Sequence, residues 1–140
     1  MNTKLMFSSE KDDWETPQDL FNELDDEFHF TLDAASSDLN AKCEKHYTVE
    51  DDGLSQSWAG NNVFLNPPYG RNMKDWMRKA YEESQAENTT VVVLVPARTD
   101  TAWFHDYVYG KAELRFLRGR LKFGGCENSA PFPSLVVVYR

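Results

Sequence analysis

The sequence predicts an α/β domain on a mainly parallel sheet with an antiparallel C-terminal edge. Three observations carry this. Strand-like apolar segments are interleaved with segments whose apolar residues recur at helical spacing. Residues 89–96, TTVVVLVP, are apolar at successive positions, as expected of a central strand covered on both faces. Two strand-like segments, AELRFL (112–117) and SLVVVYR (134–140), close the chain with only a glycine-containing loop, 118–134, to join them. A length of 140 residues allows one domain of ordinary size, here 1–140, with residues 1–11 expected as a flexible N-terminal arm.

Taken in order, ETPQDLFNELDDEF (15–28) reads as a helix. Thr16 is expected as its N-cap and Pro17 as its first residue, with Leu20, Phe21, Leu24 and Phe28 on one face. FTLDAAS (30–36) is a short strand ending in small residues. Residues 37–60 are polar and resist assignment, apart from a weak strand at KHYTV (45–49). NVFL (62–65) is the next strand. Asn72 can cap a helix carrying Met73, Trp76, Met77, Ala80 and Tyr81 on one side. After the strand at 89–96, Asp100 can cap a helix with Trp103, Phe104, Tyr107 and Val108 on its apolar face.

Composition narrows the class. Hydrophobic residues make up 41% and aromatic residues 14%, which is globular. No apolar run approaches a membrane span, and the N-terminus lacks the apolar stretch of a secretory signal. Cys43 and Cys126 form no paired motif, so reduced thiols in a cytoplasmic protein are expected. The three histidines show no metal-ligand spacing, and no metal is expected. The net charge of −8 argues against broad phosphate binding. The acids crowd residues 10–52, however, whereas RFLRGRLK (115–122) carries only basic charge.

The stretch NPPYG (66–70) ends the strand NVFL with features suited to chemistry. Ligands of open parallel sheets sit beyond the carboxyl ends of strands, where both LDAAS and LNPPYG fall. Pro67 and Pro68 stiffen the turn and contribute no N–H. Asn66 adds a side-chain acceptor beside a backbone acceptor, and Tyr69 adds a flat face. Two acceptors and an aromatic wall suit a planar base with an exocyclic amine. Hydrogen bonds from that amine to the Asn66 oxygen and the Pro67 carbonyl would stabilise the charge that develops as its nitrogen attacks an electrophilic methyl. The bland alternative is two prolines that merely end a strand.

NPPY resembles motif IV of the amino methyltransferases that use S-adenosylmethionine. With DWETPQDLFNEL, FTLDAASSDLNAKC, DGLSQSW and RGRLKFGG, the chain is similar to the phage-encoded, Dam-like DNA N-6-adenine methyltransferases from about Asp12 onward. The resemblance implies a reduced, single-domain, Rossmann-like methyltransferase fold. It implies Asn66, Pro67, Pro68 and Tyr69 as the catalytic segment. It places Trp14, Thr16 and Pro17 at the methionine end of the cofactor, with Asp33, Ala34 and Ala35 in the first-strand turn. A structural Asp33 capping the next turn is the alternative. Asp52 is expected near the adenine and ribose, against the alternative of a solvated acidic loop. LDAAS replaces the glycine-rich turn of larger enzymes, and no separate target-recognition domain is expected within these 140 residues.

The implied activity is transfer of a methyl group to adenine N6 in double-stranded DNA, with the base flipped out. The same chemistry on RNA or a protein amide remains an alternative, as does a non-catalytic phage protein that binds DNA or a host factor. A phage- or prophage-encoded monomer or weak homodimer, acting in the bacterial cytoplasm without membrane contact, is expected. Arg71, Arg118, Arg120 and Lys122 are expected to form a basic rim for DNA. The alternative for the last three is the solvent face of an edge strand.

Overall fold

The computed structural model describes residues 14–70 and 72–140; the expected arm at 1–11 and Arg71 lie outside the described residues. Helix α1 (Gln18–Phe28) leads to strand β1 (Leu32–Asp33). A 3₁₀ turn (Gly53–Ser55) precedes β2 (Asn62–Leu65), which is followed by α2 (Met73–Glu83), β3 (Thr90–Pro96) and α3 (Ala102–Tyr107). Strands β4 (Glu113–Phe116) and β5 (Ser134–Tyr139) complete one five-stranded sheet in the order β1-β2-β3-β5-β4.

The sheet is mixed. β1, β2 and β3 pair in parallel, with Leu32 opposite Val63 and Val63 opposite Val91. β5 pairs antiparallel with β3 on one side and with β4 on the other. β5 therefore runs against the other four strands, and the antiparallel part extends inward to the middle of the sheet. Val91 to Pro96 of β3 and all of β5 are buried, which accounts for their unbroken apolar runs.

The helices pack as their spacing predicts. α1 buries Phe21, Leu24 and Phe28, and α2 buries Met73, Trp76, Met77 and Ala80. Two expected caps are displaced by one residue. α1 begins at Gln18 with Pro17 in the cap position, whose carbonyl accepts from the Phe21 N–H at 3.1 Å. The Thr16 hydroxyl is not spent on α1 and serves Asn66 instead, at 2.9 Å. Thr101, not Asp100, caps α3, accepting from the Phe104 N–H. KHYTV forms no strand of its own, but His46 bridges Asp33 in parallel, with the Asp33 N–H bonded to the Lys45 carbonyl. β1 is thus flanked by β2 and, on its outer side, by this segment. No described helix is long and apolar enough to cross a membrane.

Candidate active site

A cleft of about 540 Å³ opens at the carboxyl ends of β1 and β2, a size suited to a cofactor-sized molecule. Trp14, Thr16, Asp33, Ala34, Ala35, Asp52, Asn66, Pro67 and Pro68 all line it. Of the expected cofactor residues, Pro17 does not line the cleft; it is occupied in starting α1. Two turns distant in sequence, after β1 and after β2, thus meet because their strands are parallel neighbours.

Asn66 is held in one orientation. Its Nδ2 donates to the Trp14 carbonyl and to Thr16 Oγ1. A carbonyl can only accept, so the amide nitrogen must be the atom facing Trp14, and Oδ1 must be turned the other way. Oδ1 is buried and accepts no hydrogen bond from a described residue. A buried acceptor without a donor is costly, typically by about 1–3 kcal/mol, and marks a place where a ligand donor belongs. No described residue donates to the Pro67 carbonyl beside it. Ser36 Oγ, also on the cleft, is a second buried polar atom without a partner.

Asp33 is 2% exposed. Its two oxygens accept from the backbone N–H groups of Ala35 (3.4 Å) and Lys42 (2.9 Å), so it shapes the turn after β1 as well as facing the cleft. Burial pushes its carboxyl up to about 6, against the downward pull of those N–H groups. In EDDGL the two aspartates divide the work. Asp51 accepts from the Thr48 N–H and hydroxyl, while Asp52, in a left-handed conformation at φ 57°, lines the cleft. Gly53 lies so close to the turn after β1 that a Cβ there would sit 2.2 Å from the Ala34 carbonyl oxygen.

Several cleft residues have no sequence signal of their own. Lys42 comes from the unassigned polar segment, with its side chain nearly buried and Nζ 2.8 Å from Gln18 Oε1. Trp76 was expected as core from its helical spacing; it is buried, and it also walls the cleft with Val49 and Leu54. Spacing shows that a residue is inside without showing what it touches.

Tyr69 sits differently from the open flat face expected of it. It is 7% exposed, its hydroxyl donates to the Leu94 carbonyl at 3.1 Å, and Phe123 and Phe132 pack against it at steep angles. Trp14 touches both phenylalanines as well, so four rings close this side of the site. Burial drives the Tyr69 phenol well above its usual range.

Arg118, Arg120 and Lys122 are exposed and lie beyond the end of β4 at Phe116, which removes the edge-strand explanation for them. None joins an ion pair among the described residues. Arg115, from the same basic run, is instead neutralised by Glu27 in a two-pronged pair at 2.6 and 2.7 Å and by Glu113. The segment carrying the three free cations also carries Phe123 and Gly124, and the Gly124 N–H bonds to the Glu15 carbonyl at 2.8 Å. No group of three or more potential metal ligands occurs among the described residues.

The family model described as DNA N-6-adenine-methyltransferase (Dam) matches residues 3–135. The DNA N-6-adenine-methyltransferase of Escherichia phage T1 is 35% identical over 113 residues, covering 79% of this chain and 47% of that protein. The enzyme of the same name from Haemophilus phage HP1 is 32% identical over 118 residues, covering 83% of this chain and 66% of that protein. The chain thus spans between about half and two thirds of these relatives' lengths. With a family match over nearly its whole length, the chain belongs to the DNA N-6-adenine-methyltransferase family.

Proposed function

We propose that the protein transfers a methyl group from S-adenosylmethionine to the N6 amine of adenine in double-stranded DNA. The observation that carries this reading is Asn66 Oδ1: buried, aimed by its own nitrogen's bonds, and without a donor. An exocyclic amine is the donor it fits. Accepting one N–H at Oδ1 and the other at the Pro67 carbonyl would localise the amine's lone pair and stabilise its developing positive charge. Asn66 is neutral, so the released proton passes on to water.

The cleft's chemistry supports the donor. S-adenosylmethionine supplies an electrophilic methyl on a sulfonium, whose C–S electron pair stays with sulfur as the new N–C bond forms. Asp33 and Lys42 offer one negative and one positive group for an amino-acid end. Asp52 suits ribose hydroxyls, and Trp76, Leu54 and Val49 offer apolar walls for a nucleobase. The placement of the cleft at the carboxyl ends of parallel strands supports a reduced Rossmann-like reading of the fold.

An adenine amine within a duplex is paired, so the base must be flipped out to reach Asn66. For that base to lie on Tyr69, Phe123 and Phe132 must draw aside. Arg118, Arg120 and Lys122 on the same segment, with Arg71 after the catalytic turn, would grip the phosphates. The test is direct detection of N6-methyladenine in the DNA of cells expressing the protein. Absence of the mark, with label from the donor appearing in RNA or protein instead, would move the chemistry to another acceptor.

A further inference from the structure

We infer that Thr16 is a positioning residue for methyl transfer, holding the Asn66 amide with its oxygen toward the acceptor amine, and not a ligand of the methyl donor. The inference rests on the proposed role of Asn66. The terminal torsion of an Asn side chain is broad and nearly two-fold, so sterics alone barely distinguish the oxygen from the nitrogen end. Surrounding hydrogen bonds must decide. The Trp14 carbonyl selects the nitrogen for its side but engages only one of the two N–H bonds. Held at that one point, the amide could still rock about the bond. The second N–H goes to Thr16 Oγ1 at 2.9 Å, and the two contacts fix the amide plane.

The local chain supports this use of Thr16. Its side chain is buried at 4% exposure, and its hydroxyl is not taken up by the helix that follows, because Pro17 occupies the cap position. Donation to two acceptors also polarises the amide and makes Oδ1 a stronger acceptor. The gain falls on the step in which charge develops, not on binding of the donor.

The experiment compares wild type, Thr16→Val and Thr16→Ser, using labelled S-adenosylmethionine and plasmid DNA free of adenine methylation. The valine keeps the shape and loses the oxygen, whereas the serine keeps the oxygen and loses the methyl. Thr16→Val should lower kcat on the order of 10- to 100-fold. Its S-adenosylmethionine Kd by calorimetry and its KM for DNA should stay near wild type. Thr16→Ser should recover most of the rate. By NMR, exchange of the Asn66 side-chain amide protons should be slow in wild type and Thr16→Ser and faster in Thr16→Val. Weakened donor binding at unchanged kcat would make Thr16 a donor ligand and overturn the inference. Equal losses in both variants would assign the effect to packing and also overturn it. If wild type transfers no methyl to DNA, the role of Asn66 fails. Amide exchange still decides the pinning, which is overturned if wild type and Thr16→Val exchange alike.

Discussion

The side-chain amide of Asn66 donates a hydrogen bond to the backbone carbonyl of Trp14, 52 residues earlier in the chain. The segment before α1 and the turn after β2 thereby form one unit, and the orientation of the Asn66 amide depends on both.

Asn66→Ala should abolish transfer while leaving donor binding largely intact. Its oxygen is assigned to an amine whose charge appears only during reaction, and losing one such dipole typically costs on the order of 10²–10³ in rate. Single-turnover rates together with calorimetry of S-adenosylmethionine check this. A variant that transfers normally would remove Asn66 from the chemistry.

Tyr69→Phe should keep most activity but lose stability. Removing the hydroxyl strands the buried Leu94 carbonyl, a cost of about 1–3 kcal/mol. Tyr69→Ala should also lose the packing against Phe123 and Phe132, about 3–5 kcal/mol for a large aromatic residue, together with activity. Urea unfolding of both variants measures the split.

Gly53→Ala should distort the cleft. The new methyl would meet the Ala34 carbonyl oxygen at 2.2 Å, and that oxygen belongs to backbone that cannot swing away. The turn carrying Asp52 must shift, so affinity for S-adenosylmethionine should fall more than stability does. Calorimetry beside a thermal melt would show it, and unchanged affinity would place the turn outside the donor site.

Asp33 should make both stability and donor binding depend on pH. Its folded-state carboxyl titrates at about 6 against an ordinary value of 3.8. Between these values the folded protein holds a proton that the unfolded chain has released. The contribution to stability is therefore full below about pH 4 and is lost as pH rises through 6, a change of about 3 kcal/mol. A bound ammonium favours the ionised carboxylate, so donor affinity should rise over the same window. Asp33→Asn should flatten both curves, as denaturation and calorimetry between pH 4 and 8 would record.

The Arg118→Ala/Arg120→Ala pair should bind duplex DNA more weakly and with a shallower salt dependence. Each lost phosphate contact lowers the slope of log affinity against log salt by about 0.9. Donor affinity should not change. Wild-type affinity and slope would rule out these arginines as phosphate contacts.

The chain's pattern revealed the helical faces, the buried central strand and the proline-stiffened turn at the cleft, because periodicity and proline chemistry are local. Asn66 and Asp33 were legible as cleft-lining residues because each falls at the end of a strand, where parallel sheets present ligands. The hydroxyl of Thr16 was misassigned because Pro17 takes the cap position, a choice settled by geometry at the entrance to α1. Lys42 was missed because its position depends on how an irregular segment folds back along β1. The enclosure of Tyr69 was invisible for a similar reason. Phe123 and Phe132 lie far along the chain and reach it only through the loop between β4 and β5.

The placement of β5 between β3 and β4 also dictates an order of assembly. β3 must wait for a partner whose residues pair Val91 with Tyr139 and Pro96 with Ser134, so a long loop closes before the sheet gains those bonds. Until then β3 presents an open apolar edge, and β4 has no neighbouring strand. The centre of the sheet should thus be among the last parts to close, with the edge of β3 open to pairing with another chain while it waits. Refolding should accordingly be slow and sensitive to protein concentration, although the native sheet hides that edge completely.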